Sequence, residues 1–218
     1  MKNKSQIKKI VLLLRKEVGG HEAIVHYSDP FRVLISTVLS QRTRDANTDK
    51  ASKNLFAKFN SPKKLARAGL MEIQKLIRPS GFYKVKAKRI KAISKQLTEN
   101  FNGRVPEKIE GLLSLEGVGR KTANCVLVYA FNIPAIPVDT HVHRISNRIG
   151  LVKAKTPEQT EKALVKVIPR NYWIELNDLM VKFGQRICLP RNPKCSICHL
   201  KIFCDYYFLV MKKNESKA

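Results

Sequence analysis

The chain is poor in acidic residues and has no long apolar run. Asp and Glu together number 17 against 42 Lys and Arg, which gives a net charge of +25 at neutral pH. The longest apolar runs, Ile10–Leu14 and Cys125–Phe131, fall well short of the roughly 20 residues that a membrane-spanning helix needs. We therefore expect no membrane span and no secretion signal. The basic excess indicates a polyanionic partner, with nucleic acid as the first candidate and an anionic membrane surface as the second.

Sustained alternation of apolar and polar residues, which is typical of half-buried strands, is also missing. Apolar residues recur instead at helical spacing, as at Ile90, Ile93 and Leu97. Gly and Pro residues interrupt this periodicity and divide the chain into roughly ten helical segments. The sequence therefore predicts an all-α fold.

Basic residues cluster in two segments. Six of them and no acidic residue lie between Lys84 and Lys95, and we interpret this run mainly as a solvated helix face. Five more, again without an acidic residue, lie between Lys182 and Cys204. The second segment also contains most of the cysteines of the chain.

Four of the five cysteines lie close together, at Cys188, Cys195, Cys198 and Cys204. In a chain without a secretion signal such thiols are more often metal ligands than disulfide partners. Two separated C-x2-C pairs are common at structural zinc sites, whereas only one is present here. The wider outer spacings suit a cubic iron–sulfur cluster, although four thiolates can hold either group. The ligand pattern leaves this choice open.

A glycine-containing turn joins two expected helices, at about 107–115 and 119–131. Gly117 and Gly119 permit a tight turn, and we expect Val118 to pack inward between the helices. Amide groups at the start of the second helix then suit a phosphate oxygen. A plain corner between two helices is the alternative interpretation.

Two ionisable residues near this turn are candidates for chemistry. Lys121 lies in the first turn of an apolar helix, where burial and the helix dipole both favour the neutral amine, a nucleophile that can form a Schiff base. A simple phosphate contact is the alternative for Lys121. Asp139 follows after a short loop, either as an N-cap only or as an electrostatic or proton-transfer partner of the lysine.

Three motifs in this order resemble the endonuclease III family. They are residues 115–124 (LEGVGRKTAN), residues 138–150 (VDTHVHRISNRIG) and the C-x6-C-x2-C-x5-C spacing. That family consists of base-excision repair DNA glycosylases with AP-lyase activity, within the helix-hairpin-helix–GPD superfamily. The resemblance implies two helical domains flanking a DNA-binding cleft. One would comprise residues 1–22 plus 135–218 with a cluster loop at 188–204, and the other residues 23–134 with the helix-hairpin-helix at about 107–131.

The resemblance also assigns roles to individual residues. Lys121 matches the nucleophile, Asp139 the essential carboxylate, and the four clustered cysteines the ligands of a [4Fe-4S] cluster. Residues 39–45 (LSQRTRD) resemble the segment that inserts a glutamine into the duplex, and alignment on Ser40 and Asp45 leaves that role open between Gln41 and Arg42. The further predicted DNA contacts are Gly117, Val118, Gly119, Arg120, His141, Arg144, Arg191 and Lys194.

The function implied by the resemblance is bifunctional DNA repair. The enzyme would remove oxidised or otherwise damaged pyrimidines from duplex DNA and cleave 3′ to the abasic site by β-elimination. We expect a cytoplasmic monomer that acts on double-stranded DNA. The alternatives are a monofunctional mismatch glycosylase for thymine or uracil and a non-catalytic DNA-binding protein. Lys121 favours the bifunctional enzyme, because monofunctional relatives typically lack a lysine at this position.

Overall fold

The computed structural model describes residues 2–20 and 29–209, and these residues form helices joined by short loops. The α-helices are α1 (Lys4–Val18), α2 (Pro30–Ser40), α3 (Asp45–Lys58), α4 (Pro62–Arg67), α5 (Leu70–Leu76), α6 (Tyr83–Asn100), α7 (Ile109–Leu113), α8 (Arg120–Phe131), α9 (Thr140–Ile149), α10 (Pro157–Val167) and α11 (Trp173–Arg186). Two 3-10 helices span Arg170–Tyr172 and His199–Phe203. The described part of the chain contains no strand, so the predicted all-α class is confirmed. None of its helices is long and apolar enough to cross a membrane.

The chain divides into two compact units. One unit combines Met1–Ile24 with Pro134–Ala218, and the other is Val25–Ile133. The first is therefore built from both terminal regions of the chain, whereas the second is continuous. The boundary expected between residues 22 and 23 lies outside the described residues.

In the discontinuous unit, α1 packs against α11 and against the second 3-10 helix. Asn3 caps α1 by accepting a hydrogen bond from the backbone N–H of Gln6, whose side chain bonds back to Asn3, and Gly19 ends the helix with φ +80°. A charged pair also joins the helices, because Arg15 Nε donates to Glu175 Oε2 at 2.8 Å. The core of this unit includes Ile10, Leu14, Val142, Ile145, Leu164, Leu176, Leu179, Met180 and Phe183.

In the continuous unit, α2 is the central helix and is buried at most of its positions. It packs against α3 and α8, while α4 and α5 pack against α6. The apolar sequence of α2 explains this position, since a helix that is apolar on all sides is stable only when surrounded by others. Its Asp29 cap accepts from the N–H of Phe31 at 2.9 Å, directly before Pro30 in the first turn.

The basic run on α6 is not a uniformly solvated face, which corrects the expectation for residues 84–95. Lys84, Lys88 and Lys95 are exposed, but only 3% of Lys86 is accessible. Lys86 is buried because it shares a helix face with Ile90 and with the apolar residues one and two turns beyond Ile90. Its amine must therefore find partners inside the protein.

Candidate functional site

The glycine turn joins α7 to α8. Gly117 has φ +69°, a backbone conformation that favours glycine, and a Cβ there would displace the flexible side chain of Arg89. Val118 is 5% exposed, which confirms that it packs inward. Gly119 is the N-cap of α8 and has no side chain to cap the helix, a combination that suits phosphate binding by the first amide groups.

The first of the two joined helices is shorter than expected. It spans Ile109–Leu113 rather than residues 107–115. Lys108 is an extended N-cap residue, and beyond the helix the N–H of Leu115 bonds to the carbonyl of Leu112 in a tight turn. Gly117 and Gly119 still lie in the turn between the two helices, although the first helix is shorter than expected.

Lys121 is the second residue of α8 and is half-buried, next to Arg120. Residues 122–128 after it are buried, so the helix body forms part of the core, as the sequence predicts. The first turn therefore carries a lysine at the edge of an apolar interior. Its role as a nucleophile stays a prediction, as does the phosphate contact.

Gln41 follows α2 directly, and both ends of its amide are hydrogen-bonded within the protein. Its Nε2 donates to Thr122 Oγ1 at 3.2 Å, and Arg89 Nη1 donates to its Oε1 at 2.9 Å. Thr122 is the residue after Lys121, so Gln41 connects the end of α2 to the first turn of α8. The amide of this half-buried side chain therefore already has hydrogen-bond partners within the folded protein.

Arg42, by contrast, is exposed. Its guanidinium lies 4.9 Å from the centroid of the Phe82 ring, and Phe82 is itself 60% exposed. Both residues have left-handed backbones, with φ +53° for Arg42 and +58° for Phe82. Such conformations cost about 1–3 kcal/mol each for residues with side chains and persist only where neighbours hold them. Two exposed side chains therefore lie in contact, each on a residue with a strained, left-handed backbone conformation.

Lys86 lies beneath these two residues and was missed as a site residue by the sequence analysis. Its Nζ donates to the carbonyls of Leu39 at 2.7 Å and Gln41 at 2.6 Å. The hydroxyls of Thr43 at 2.8 Å and Ser80 at 2.9 Å bring the acceptors to four, so the three N–H groups of the ammonium are shared among them. Burial, with a smaller contribution from the charge of a neighbouring arginine, lowers the pKa of Lys86 to about 8.

Asp139 is the N-cap of α9 in the discontinuous unit. Its Oδ1 accepts hydrogen bonds from the N–H groups of His141 and Val142, both at 2.8 Å. The segment before it is held by Asn177, whose side chain donates to the Pro137 carbonyl at 2.8 Å. The capping role is therefore observed, while the catalytic role stays a prediction. His141 is half-buried, and this burial lowers its pKa.

Two arginines of α9 hold the start of the cysteine segment. Arg144 Nη2 donates to the Cys188 carbonyl at 2.7 Å and lies 3.2 Å from His141 Nδ1. One turn later, Arg148 donates to the carbonyls of Leu189 at 2.7 Å and Pro190 at 2.8 Å. The DNA contacts expected of Arg144 and His141 stay predictions. The two arginines lie on one face of α9, and their partners here are backbone carbonyls.

The four clustered cysteines line a single pocket and form no disulfide. Burial raises the pKa of Cys195, Cys198 and Cys204, to about 11 for Cys198, and repulsion from Cys188 contributes at each. Within residues 2–20 and 29–209, no three His, Cys, Asp or Glu side chains are arranged as a site for a metal ion.

The surroundings of the cysteine pocket are basic and partly tied to α1. Arg191 and Lys194 are exposed on the segment between the first two cysteines. His199 is exposed, and both its N–H and its Nδ1 lie 2.7 Å from Glu17 Oε1. The fifth cysteine, Cys125, is buried in α8.

Comparison with known proteins identifies relatives over most of the chain. Residues 35–170 match the HhH-GPD superfamily of base excision DNA repair proteins. Endonuclease III of Thermotoga maritima is 58% identical over 180 residues, which cover 83% of this chain and 84% of that protein. Endonuclease III of Escherichia coli is 35% identical over 204 residues, which cover 94% of this chain and 97% of that protein.

Solved structures give the same assignment. A trapped endonuclease III–DNA covalent intermediate with an estranged adenine superimposes with a TM-score of 0.89 at 36% identity, covering 97% of this chain and all of that one. A thermostable thymine-DNA glycosylase superimposes with a TM-score of 0.84 at 26% identity, covering 94% of this chain and 98% of that one. The chain therefore belongs to the HhH-GPD superfamily of base-excision DNA repair proteins and, within it, to the endonuclease III family of DNA glycosylases.

Proposed function

We propose that this chain is a bifunctional enzyme, which excises a damaged pyrimidine from duplex DNA and then cleaves the strand through a Schiff base on Lys121. The observation that carries the proposal is the position of this lysine. It lies in the first turn of α8, directly after a glycine turn suited to phosphate, at the edge of an apolar helix. An amine next to a bound backbone phosphate is well placed to reach the sugar of that nucleotide.

The proposed chemistry begins after the damaged nucleotide leaves the base stack, because no side chain reaches its sugar carbon inside the duplex. The neutral Nζ of Lys121 attacks C1′ of the deoxyribose. The glycosidic bond breaks, and the base leaves with its electron pair and takes up a proton. Ring opening then gives the imine between Nζ and C1′.

Strand cleavage follows from the imine. The positively charged nitrogen withdraws electrons and makes the C2′ proton acidic. Loss of that proton and departure of the 3′ phosphate, with the electrons of the C3′–O bond, complete β-elimination 3′ to the abasic site. We assign to the carboxylate of Asp139 the stabilisation of positive charge on the sugar and the proton transfers around the lysine.

Arg42 is the residue that we propose to fill the gap left by the extruded base. The amide of Gln41 is already bonded to Thr122 and Arg89, whereas Arg42 is exposed on a left-handed backbone position. A guanidinium is planar and stacks on rings, as it does here on Phe82, so it suits the space between two bases. We therefore propose Arg42, rather than Gln41, as the gap-filling residue.

The cysteine pocket suits the [4Fe-4S] cluster that the resemblance implies. The four thiols around it are a pure sulfur donor set of the kind that iron–sulfur clusters use, and they would lose their protons on binding iron. The ligands would be Cys188, Cys195, Cys198 and Cys204. When bound, the cluster would cross-link residues 188–204 through iron–thiolate bonds. We propose that Arg191 and Lys194 on this segment contact DNA phosphates.

We further propose that the protein acts as a monomer in the cytoplasm. The described cysteines form no disulfide, which fits a reducing compartment. Sedimentation of the purified chain with and without duplex DNA would test the monomer directly.

Borohydride trapping on duplex oligonucleotides tests the function. The panel contains thymine glycol, oxidised cytosine, uracil, 8-oxoguanine or an abasic site, each incubated with and without borohydride. We expect trapped adducts and strand cleavage with the oxidised pyrimidines and the abasic site. Base loss without an adduct would indicate a monofunctional glycosylase, and binding without either product a non-catalytic DNA-binding protein.

The cofactor is tested by colour and metal content. We expect purified protein to be brown, with broad visible absorption and about four iron atoms per chain. Cys198→Ala removes a thiolate from the pocket and should abolish the absorption. Cys125→Ala is the matched control, because it removes a cysteine outside the pocket and should keep the colour. A colourless protein containing zinc would contradict the cluster assignment.

A further inference from the structure

We propose that Lys86 is a positioning residue for base extrusion, which fixes the loop at residues 41–43 so that Arg42 is presented to the duplex. This inference rests on the proposed function, since it concerns how the gap-filling residue is held. In the sequence, Lys86 is one of six basic residues in a segment that we interpret as a solvated helix face. The structure instead buries it and surrounds its amine with oxygen atoms from three segments of the chain.

The acceptors of the Lys86 amine lie on both sides of Arg42. The Gln41 carbonyl precedes Arg42, and the Thr43 hydroxyl follows it, at 2.6 and 2.8 Å from Nζ. The Leu39 carbonyl, at 2.7 Å, belongs to the last turn of α2. A positive group at a helix C-terminus is favourable, because the last carbonyls lack helical partners. Lys86 therefore closes α2 and fixes the backbone on each side of Arg42.

The same amine also joins the segment that carries Phe82. Lys86 donates to Ser80 Oγ at 2.9 Å, and Ser80 Oγ donates in turn to the Leu39 carbonyl at 3.0 Å. The N–H of Gly81 donates to Thr43 Oγ1 at 3.1 Å. The two loops are thus bound to each other through a common set of oxygens, which explains how the left-handed residues Arg42 and Phe82 are held in contact.

A purely structural lysine is the competing interpretation, and α6 provides a matched control for it. Lys91 lies on the same helix, and its Nζ donates to the Ala68 carbonyl at 2.6 Å, at the end of α4. Both amines donate to a carbonyl at the C-terminal end of another helix, but of the two only Lys86 contacts the 41–43 loop. Replacement of each by Met keeps the length of the side chain and removes its donors.

The first experiment compares two activities of Lys86→Met, Lys91→Met and the unchanged chain. Excision of an oxidised pyrimidine requires a base to be extruded, whereas cleavage at a preformed abasic site does not. We expect Lys86→Met to lower excision about 10²-fold more than abasic-site cleavage, as misplacement of a positioning group does. Lys91→Met should leave the ratio of the two rates unchanged. An equal loss of both activities in Lys86→Met would overturn the proposal.

The second experiment needs no catalysis and separates this proposal from the proposed function. A duplex carries a tetrahydrofuran abasic analogue opposite 2-aminopurine, whose fluorescence rises when its stacking is disturbed. We expect the rise on binding with the unchanged chain and with Lys91→Met, and a much smaller rise with Lys86→Met at saturation. A full rise with Lys86→Met would exclude a positioning role even if the chain proved to be non-catalytic.

A third variant covers the case in which Lys86→Met does not fold. Thr43→Val is nearly isosteric and keeps Lys86, but removes the hydroxyl that joins the amine to Gly81. It should lower the excision-to-cleavage ratio and the 2-aminopurine signal in the same direction by a smaller factor. If Thr43→Val behaves as the unchanged chain in both assays, the network does not position the loop.

Discussion

Lys121→Gln is expected to abolish the borohydride-trapped adduct with abasic DNA. Glutamine lacks a nucleophilic amine, so neither attack at C1′ nor an imine is available to it. The base-excision rate should fall by roughly 10⁴-fold or more, as in other enzymes that lose their nucleophile. Glutamine and lysine have similar helix propensities and the position is half-buried, so the first turn of α8 should remain intact. Gel-based trapping measures the loss of the adduct, and thermal melting measures whether the fold is kept.

A control separates the loss of the nucleophile from the loss of one positive charge. Lys166→Gln makes the same substitution at an exposed position of α10 and should trap abasic DNA at the normal rate. Binding of Lys121→Gln to the tetrahydrofuran duplex should persist, since the glycine turn and Arg42 are unchanged. An adduct that survives in Lys121→Gln would show that another amine is the nucleophile.

Asp139→Asn is expected to lower base excision by about 10²–10⁴-fold while the protein melts at nearly the same temperature. The reason lies in the two roles of this side chain. Asparagine keeps an oxygen for the N–H groups of His141 and Val142 and is as good an N-cap as aspartate. It lacks the negative charge that we assign to the stabilisation of the sugar cation. Single-turnover rates and melting curves check both statements.

Two further variants complete this test. Asp139→Ala removes the cap as well and should lower stability by about 1 kcal/mol in addition to the loss of activity. Asp29→Asn makes the same charge change at the N-cap of α2 and should leave excision unaffected. If Asp139→Asn retained full activity, Asp139 would be a capping residue only.

Local sequence signals predict a large part of this structure. The helices, the inward-facing Val118 and the concentration of cysteines in one short segment all depend on residues close together in the chain. Helical periodicity and glycine conformation act over such distances, so these features are readable without the fold. The end of α7 is the exception, because the tight turn closed by the bond from the Leu115 N–H to the Leu112 carbonyl competes with helix continuation.

Long-range polar contacts account for what the sequence did not reveal. Lys86 lies on the helical face of Ile90, Ile93 and Leu97, but the run of basic residues around it indicated a solvated surface. Its acceptors at residues 39–43 lie more than 40 positions away. The contact of Gln41 with Thr122 spans 81 positions. Such pairings follow only from the packing of α2 against α6 and α8.

The same limit applies to the arginines of α9. Their spacing of four residues places them on one face, and a DNA contact was expected of Arg144. The structure gives Arg144 and Arg148 backbone carbonyls of residues 188–190, about 40 positions further along the chain. An arginine has five donors, so a partner inside the protein need not exhaust its hydrogen-bonding capacity.

The discontinuous unit has a consequence for how the chain folds as it is made. Helix α1 buries Ile10 and Leu14 against residues of α11 and the second 3-10 helix, which are translated more than 150 residues later. At roughly 5–20 residues per second, α1 waits on the order of ten seconds or longer with its apolar face unpaired. Residues 25–133 have all their internal partners much sooner. Translation therefore imposes an order in which the continuous unit folds first and the oldest helix of the chain docks last.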